Sequence, residues 1–222
     1  MLREAIAVPW TEEKIRLWRT PAPEVLTLIQ RWKEKGFERV LDRGCGPGRH
    51  SICFVGQGFS VTAVDRDPAA LSYLKRWAQE ERLAVTTVAG DILSLPFPDH
   101  SFDCVLDYHA SFHTDTAGYL RGISELHRVI KPGGEAYVTV KSKNDAVFRS
   151  GEPIDRFTVI HENQSPHFYA AESELPALFR GFRILDCREV TAPGVSSPDL
   201  RAHFHLLLKK EDREDLDENR LS

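Results

Sequence analysis

The stretch VLDRGCGPGRHS, residues 40–51, constrains the chain more than any other: an apolar run ends on Asp42 and passes at once into Gly44, Gly46 and Gly48. A strand that ends on an acid and turns through alternating glycines brings backbone within van der Waals reach of a ligand, with a carboxylate beside it. The pattern reads against a pyrophosphate. A dinucleotide fingerprint requires a glycine three residues after Gly46, where Arg49 stands, and Asp42 would repel a diphosphate. A ligand carrying an ammonium and a sulfonium suits this loop better.

The following units agree. FSVTAVDRD, residues 59–67, is a second apolar strand whose acid, Asp65, stands where a doubly wound sheet places the acceptor for ribose hydroxyls. A third unit, residues 84–97, offers a strand and then Gly90, Asp91 and Ile92, a turn whose carboxylate can take an adenine amino group while the isoleucine packs on the ring. A fourth strand begins at Phe102 and ends near Asp107. Between and after these the spacing predicts helices over 24–35, 50–57, 68–82 and 118–130, a short one over 11–20, and strands over 135–140, 182–190 and 203–209. Alternation of this kind builds a parallel sheet with helices on both faces.

The D-x-G-x-G-x-G loop, the acid after the second strand, the G-D-I turn and LPFPDHSFDCV followed by LHRVIKPGG together resemble the class I S-adenosylmethionine-dependent methyltransferases, over roughly residues 38–140. The likeness is to the small single-domain members. It implies a Rossmann-like, doubly wound, mainly parallel seven-stranded sheet ending in an antiparallel hairpin. It also implies S-adenosylmethionine as cofactor, held by Asp42, Gly44, Cys45, Gly46, Gly48, Asp65, Arg66, Asp91, Ile92 and Asp107. Arg43 departs from the pattern, which has an apolar residue between the acid and the glycine. It either projects to solvent or pairs with a neighbouring acid, and pairing with Asp42 would make it a competitor of the ligand's ammonium.

At 222 residues and 41% hydrophobic, the chain is read as one domain over 1–209, with cap helices over 1–36, an insertion or lid over 142–170 and a charged tail over 210–222. A formal charge of −4 gives no general pull toward nucleic acid. Cys45, Cys53, Cys104 and Cys187 form no C-x-x-C pair and read as reduced thiols. The N-terminus shows early acids and no long apolar run, so neither a signal peptide nor a membrane span is expected there, and the expected location is the cytoplasm.

The methyl acceptor, expected to be a small molecule, must be met outside the cofactor loops. The insertion is long, polar and aromatic, as a lid or binding loop would be. Trp10 and Trp18 read as packing residues. Asp107, His109 and His113 lack a convincing third metal ligand, and no metal is expected. His109 and His113 follow the strand that ends at the cofactor's methionine part and are the proposed bases; His161 and His167, with Tyr169, lie on the insertion. Two other readings use the same pocket differently: a non-catalytic S-adenosylmethionine-binding regulator, and a nicotinamide-dependent oxidoreductase, which the missing glycine disfavours.

Overall fold

The apolar runs that end in acids become adjacent parallel strands. In the computed structural model, which describes residues 15, 18–160, 165–193 and 200–211, they are β1 (Arg39–Arg43), β2 (Ser60–Asp65), β3 (Thr86–Ala89), β4 (Phe102–Asp107) and β5 (Ile130–Ser142). They pair in parallel in the order β3-β2-β1-β4-β5. The chain winds outward from β1 to β3 and then returns to the other side of β1. The carboxyl ends of β1 and β4 therefore flank a switch point, where an open α/β sheet leaves a crevice.

Side chains alternate between two cores, as the period of a strand requires. Leu41, Val105, Ala136 and Val138 join a core beneath α4 (Thr116–Val129). Val40, Cys104, Leu106 and Tyr137 join one beneath α1 (Pro23–Glu34) and α2 (Arg49–Gly56). Val25, Leu28, Ile29 and Trp32 form the buried stripe of α1. Arg31 clamps that helix with two hydrogen bonds, 2.8 and 2.7 Å, to the buried Glu135 carboxylate. On the other helices, Asp67 caps α3 (Pro68–Glu80) by accepting from the Ala69 amide and Asp115 caps α4 by accepting from Gly118, each satisfying a first-turn donor.

The C-terminal hairpin is present: β9 (Phe182–Pro193) and β10 (Leu200–Lys210) are antiparallel, and β10 runs antiparallel to β5. The expected strands are all found, but among the described residues the sheet has ten rather than seven. The extra three, β6 (Glu152–Pro153), β7 (Thr158–Ile160) and β8 (Pro166–Ala170), all come from the insertion. The last β4–β5 pair is Asp107 with Val138, and β8 then pairs Tyr169 and Ala170 with Lys141 and Ser142, continuing the lane that β4 leaves empty. Strands this short carry too little periodicity to be read from sequence. A turn of 3₁₀ helix (Glu172–Glu174) and α5 (Leu175–Leu178) lead from β8 back to β9.

All four cysteines are free. Among the described residues no helix is long and apolar enough to cross a membrane. Trp10, His161, most of the expected 11–20 helix and the tail beyond residue 211 lie outside the described residues.

Candidate active site

The glycine loop is stitched down by its own amides. Gly44 and Cys45 both donate to the Val64 carbonyl (2.8 and 3.0 Å), Gly46 to the Asp65 carboxylate (2.7 Å) and Gly48 to the Cys45 carbonyl (3.1 Å). Residue 47 is proline and has no N–H. Every amide from Gly44 to Gly48 is therefore already used, so the loop cannot cradle a phosphate with free N–H groups, as phosphate-binding glycine loops do. Gly44 and Gly48 have φ of +71° and +90°, and a Cβ on Gly44 would lie 2.3 Å from Ala110 Cβ, so the β1 and β4 loops meet only through a glycine.

Two carboxylates flank the loop. Asp42, 2% exposed, accepts a 2.5 Å hydrogen bond from the Ser51 hydroxyl, and among the described residues no cation pairs with it. Burial, with the nearby Asp65 charge adding to it against the Ser51 bond, pushes its carboxyl up to about 6. A buried acid in this state is satisfied by a cationic ligand, and an α-ammonium fits it. Asp65 is half-buried and oriented by the Gly46 and Asp67 amides, one on each oxygen. Asp91 accepts from the Leu93 amide and is exposed beside the half-buried Ile92. Cys45 keeps its proton, since burial and then the Asp42 and Asp65 charges push its thiol up.

Arg43 neither reaches solvent nor pairs with Asp42. It is 1% exposed and lies on the α4 side of the sheet, where it pairs with Asp107 at 2.7 Å and donates to the carbonyls of Ile92 (2.9 Å) and Gly122 (2.8 Å). The alternation of β1 explains this, because residues 42 and 43 must face opposite cores. Asp107 is fully buried, with one oxygen on Arg43 and the other on the Ser111 amide, so its carboxylate is committed within the protein. Only its backbone remains to meet a ligand. Arg66 is exposed at the end of β2.

The other side of the crevice is lined by histidines of unequal character. His109 has φ of +57°, donates its amide to Thr139 Oγ1 (2.7 Å), and stacks between Tyr108 and His203 at 4.6 and 4.5 Å. Its Nε2 is buried with no hydrogen-bond partner, and burial followed by the His203 and His205 charges holds it well below its ordinary pKa. The His113 ring reaches solvent while protein surrounds it, as befits a group lining a crevice. Desolvation, then Lys141 and Arg66, press its pKa down. His113 Nδ1 lies 2.9 Å from His167 Nε2 on β8, and His167 Nδ1 lies 3.2 Å from the Ser165 carbonyl. That carbonyl can only accept, so His167 carries its proton on Nδ1 and accepts from His113 through Nε2. A neutral His113 is left with its lone pair on Nε2, in the state a proton acceptor needs. The insertion thereby orients His113, a role for His167 that its chain position did not suggest.

Sequence reading also passed over Tyr137, Thr139 and Lys141 on β5, and His203 and His205 on β10. The register sets His203 opposite Lys141 and His205 opposite Thr139, so all five share the face beneath α1. Their signal was a period-2 polar alternation, in AYVTVKS and AHFHLLL, within strands otherwise apolar. Trp18 lies with its ring 4.5 Å from the Arg49 guanidinium, which also sits 5.4 Å from the Tyr108 ring. Among the described residues no three metal-ligating groups cluster.

Residues 40–134 match the model of a methyltransferase domain. The malonyl-[acyl-carrier protein] O-methyltransferase of Pseudescherichia vulneris is 36% identical over 116 residues, 52% of this chain and 44% of that protein. An S-adenosylmethionine-dependent methyltransferase from Methanosarcina mazei superposes with a TM-score of 0.73 at 22% identity, covering 86% of this chain and 99% of that one. The 1,6-didemethyltoxoflavin N1-methyltransferase of Burkholderia thailandensis, solved with 1,6-didemethyltoxoflavin and S-adenosylhomocysteine, gives 0.67 at 22% identity over 90% and 82%. The chain spans between 26% and 56% of the length of the first curated relatives it matches. The matched span runs from the strand that carries Asp42 to Gly134 of β5, so this stretch is similar to a methyltransferase domain, and the sheet around it has the fold of the superposed methyltransferases.

Proposed function

We propose that the protein transfers a methyl group from S-adenosylmethionine to a small-molecule acceptor. The observation that carries this reading is the pairing of a glycine loop without free amides and two acids, one buried with no cation at ion-pair distance among the described residues. That combination selects a cationic ligand over a phosphorylated one. Asp42 would hold the ammonium and Asp65 the ribose hydroxyls. Asp91 and Ile92 would hold the adenine, and the backbone at Gly44, Cys45, Gly46, Gly48 and Asp107 would shape the wall.

Bound there, the cofactor would supply a methyl carbon activated by a sulfonium, open to in-line displacement by a nucleophile with the thioether as leaving group. The protein's part is to position the acceptor, exclude water and remove a proton. The β6–β8 lid and α1 wall off the acceptor side. His113 Nε2, directed by His167, takes the proton of an acceptor hydroxyl or ammonium. His109, stacked and half-buried, supports the acceptor wall instead of titrating. The location assigned with this role is the cytoplasm.

The test is to incubate the protein with S-adenosylmethionine labelled on its methyl group and a fractionated small-metabolite extract, following S-adenosylhomocysteine. Label appearing in one small-molecule fraction, and lost in His113→Ala, supports the reading. Tight cofactor binding with no turnover in any fraction would favour a regulatory binding protein.

A further inference from the structure

On the crevice side of β5, Lys141 is 9% exposed, and among the described residues no carboxylate lies within ion-pair distance of it. Its Nζ has a long hydrogen bond, 3.4 Å, to the Tyr169 hydroxyl, and sits 5.3 and 5.1 Å from the Phe112 and Tyr169 rings. The nearest acid to act on it, Asp145, is spent elsewhere: its oxygens accept from the Val147 and Ala202 amides and face Arg201 at 3.6 Å. A buried ammonium with one long hydrogen bond and two ring contacts, but no counter-charge, is costly unless an anion satisfies it. Burial, opposed by Asp145 and reinforced by Arg201, lowers its pKa to about 8, so it remains largely charged at neutrality.

Its position says what that partner is. Lys141 sits opposite His203 across β5 and β10, and its Nζ lies 5.3 Å from the Phe112 ring, which packs 4.7 Å from the His113 ring. The ammonium therefore lies at the same strand ends as the glycine loop, beside the base, with an aromatic ring on each flank. An apolar acceptor would leave the charge unmet, and a cationic one would be repelled. A conjugated acceptor bearing an acidic hydroxyl meets the ammonium and the base together: the oxygen faces Lys141, and its proton goes to His113 Nε2.

We infer that Lys141 anchors the oxyanion of a planar, acidic hydroxyl acceptor, a phenol or an enol, and so sets the acceptor class of the methyl transfer. This rests on the methyltransferase reading. Lys141 positions and ionises the acceptor.

The probe is 4-nitrophenol, added to the full chain saturated with S-adenosylhomocysteine, at a pH below the phenol's own pKa, where its phenolate absorbance reads ionisation directly. The wild type should bind it as phenolate. Lys141→Met should weaken uptake by about tenfold or more and abolish the phenolate signal, since a charge-assisted hydrogen bond is worth about that much, while Lys141→Arg keeps the signal. S-adenosylhomocysteine affinity, measured by calorimetry, should stay within about twofold in both variants, showing that each is folded and loaded. Uptake of the un-ionised phenol, equal uptake by Lys141→Met, or no uptake by protein that binds S-adenosylhomocysteine overturns the inference and leaves methyl transfer standing. Failure of the wild type to bind S-adenosylhomocysteine overturns both.

Discussion

Replacing Arg43 by leucine should cost far more than a surface charge would. Its guanidinium holds Asp107 at 2.7 Å in a place where neither side chain meets water, and donates to the carbonyls of Ile92 and Gly122. Leucine removes the Asp107 counter-charge and two donors together. Truncating one partner of a buried pair costs about 3 to 5 kcal/mol, because the surviving charge is left uncompensated. Burial already pushes the Asp107 carboxyl up against the pull of Arg43, and without Arg43 only the Ser111 hydrogen bonds oppose that rise. In the variant a folded-state pKa above the unfolded one makes the native state the better proton binder, so the deficit should be largest at neutral pH and shrink as pH falls toward the ordinary carboxylate range. Removing both charges, in Arg43→Leu with Asp107→Leu, should recover about half or more of the loss. Urea unfolding of the wild type and the two variants at pH 7 and pH 5 measures all of this. A single-variant loss below about 1 kcal/mol, or a double variant no more stable than Arg43→Leu, would refute the account of this pair. Since Arg43 also fixes the Ile92 carbonyl, the single variant should bind S-adenosylmethionine more weakly even at temperatures where it is fully folded.

Asp65→Ala should weaken S-adenosylmethionine by about 2 to 3 kcal/mol if it holds both ribose hydroxyls, and calorimetry showing less than a twofold change would place the ribose elsewhere. His113→Ala should slow methyl transfer about a hundredfold or more at unchanged cofactor affinity, with His167→Ala giving a smaller loss because it only orients the ring. The acid limb of the wild-type rate should fall well below pH 6.5, since desolvation, Lys141 and Arg66 press the His113 pKa down; a limb centred at 6.5 would contradict that environment. Stability should decline as pH drops below 6.5. His50, buried with its Nε2 accepting from the Ala22 amide and its pKa pushed down to about 3, stays neutral when folded but takes a proton when unfolded. His50→Gln should remove about 2 kcal/mol of the loss between pH 7 and pH 5, measured as urea midpoints, and an unchanged slope would remove His50 from the explanation.

The parallel half of the fold was legible because each unit carries a strong local signal: a buried strand, an acid at its end, and a proline or acid opening the next helix. Helix boundaries came within a few residues, as with Pro68–Glu80 against the expected 68–82. The residues proposed to hold the cofactor carry the same kind of signal, since they lie in the glycine loop after β1 and at the carboxyl ends of β2, β3 and β4. Arg43 could be noticed but not placed, because only pairing of β1 with β4 reveals that its neighbour is Asp107. The acceptor side depends on contacts between distant segments. Lys141 meets Tyr169 through the β5–β8 pairing, and His113 meets His167, 54 residues away, through the lid. Neither juxtaposition has a local signature, although polar residues at alternate positions of β5 and β10 marked that face as something other than core.

The most direct test of a cationic-cofactor pocket is the pH dependence of S-adenosylmethionine binding. Asp42 must be ionised to hold an ammonium, and its carboxyl is pushed up to about 6, so affinity should level off above that pH and fall about tenfold by pH 5. In Asp42→Asn the binding should be weak and no longer depend on pH over this interval. Calorimetric titration of both proteins at pH 7.5 and pH 5, with NAD as the competing ligand, decides it. Binding of S-adenosylmethionine alone, weakened by acid in the wild type only, is the predicted result. A folded wild-type protein that ignores S-adenosylmethionine at both pH values, or that takes up NAD instead, would contradict it.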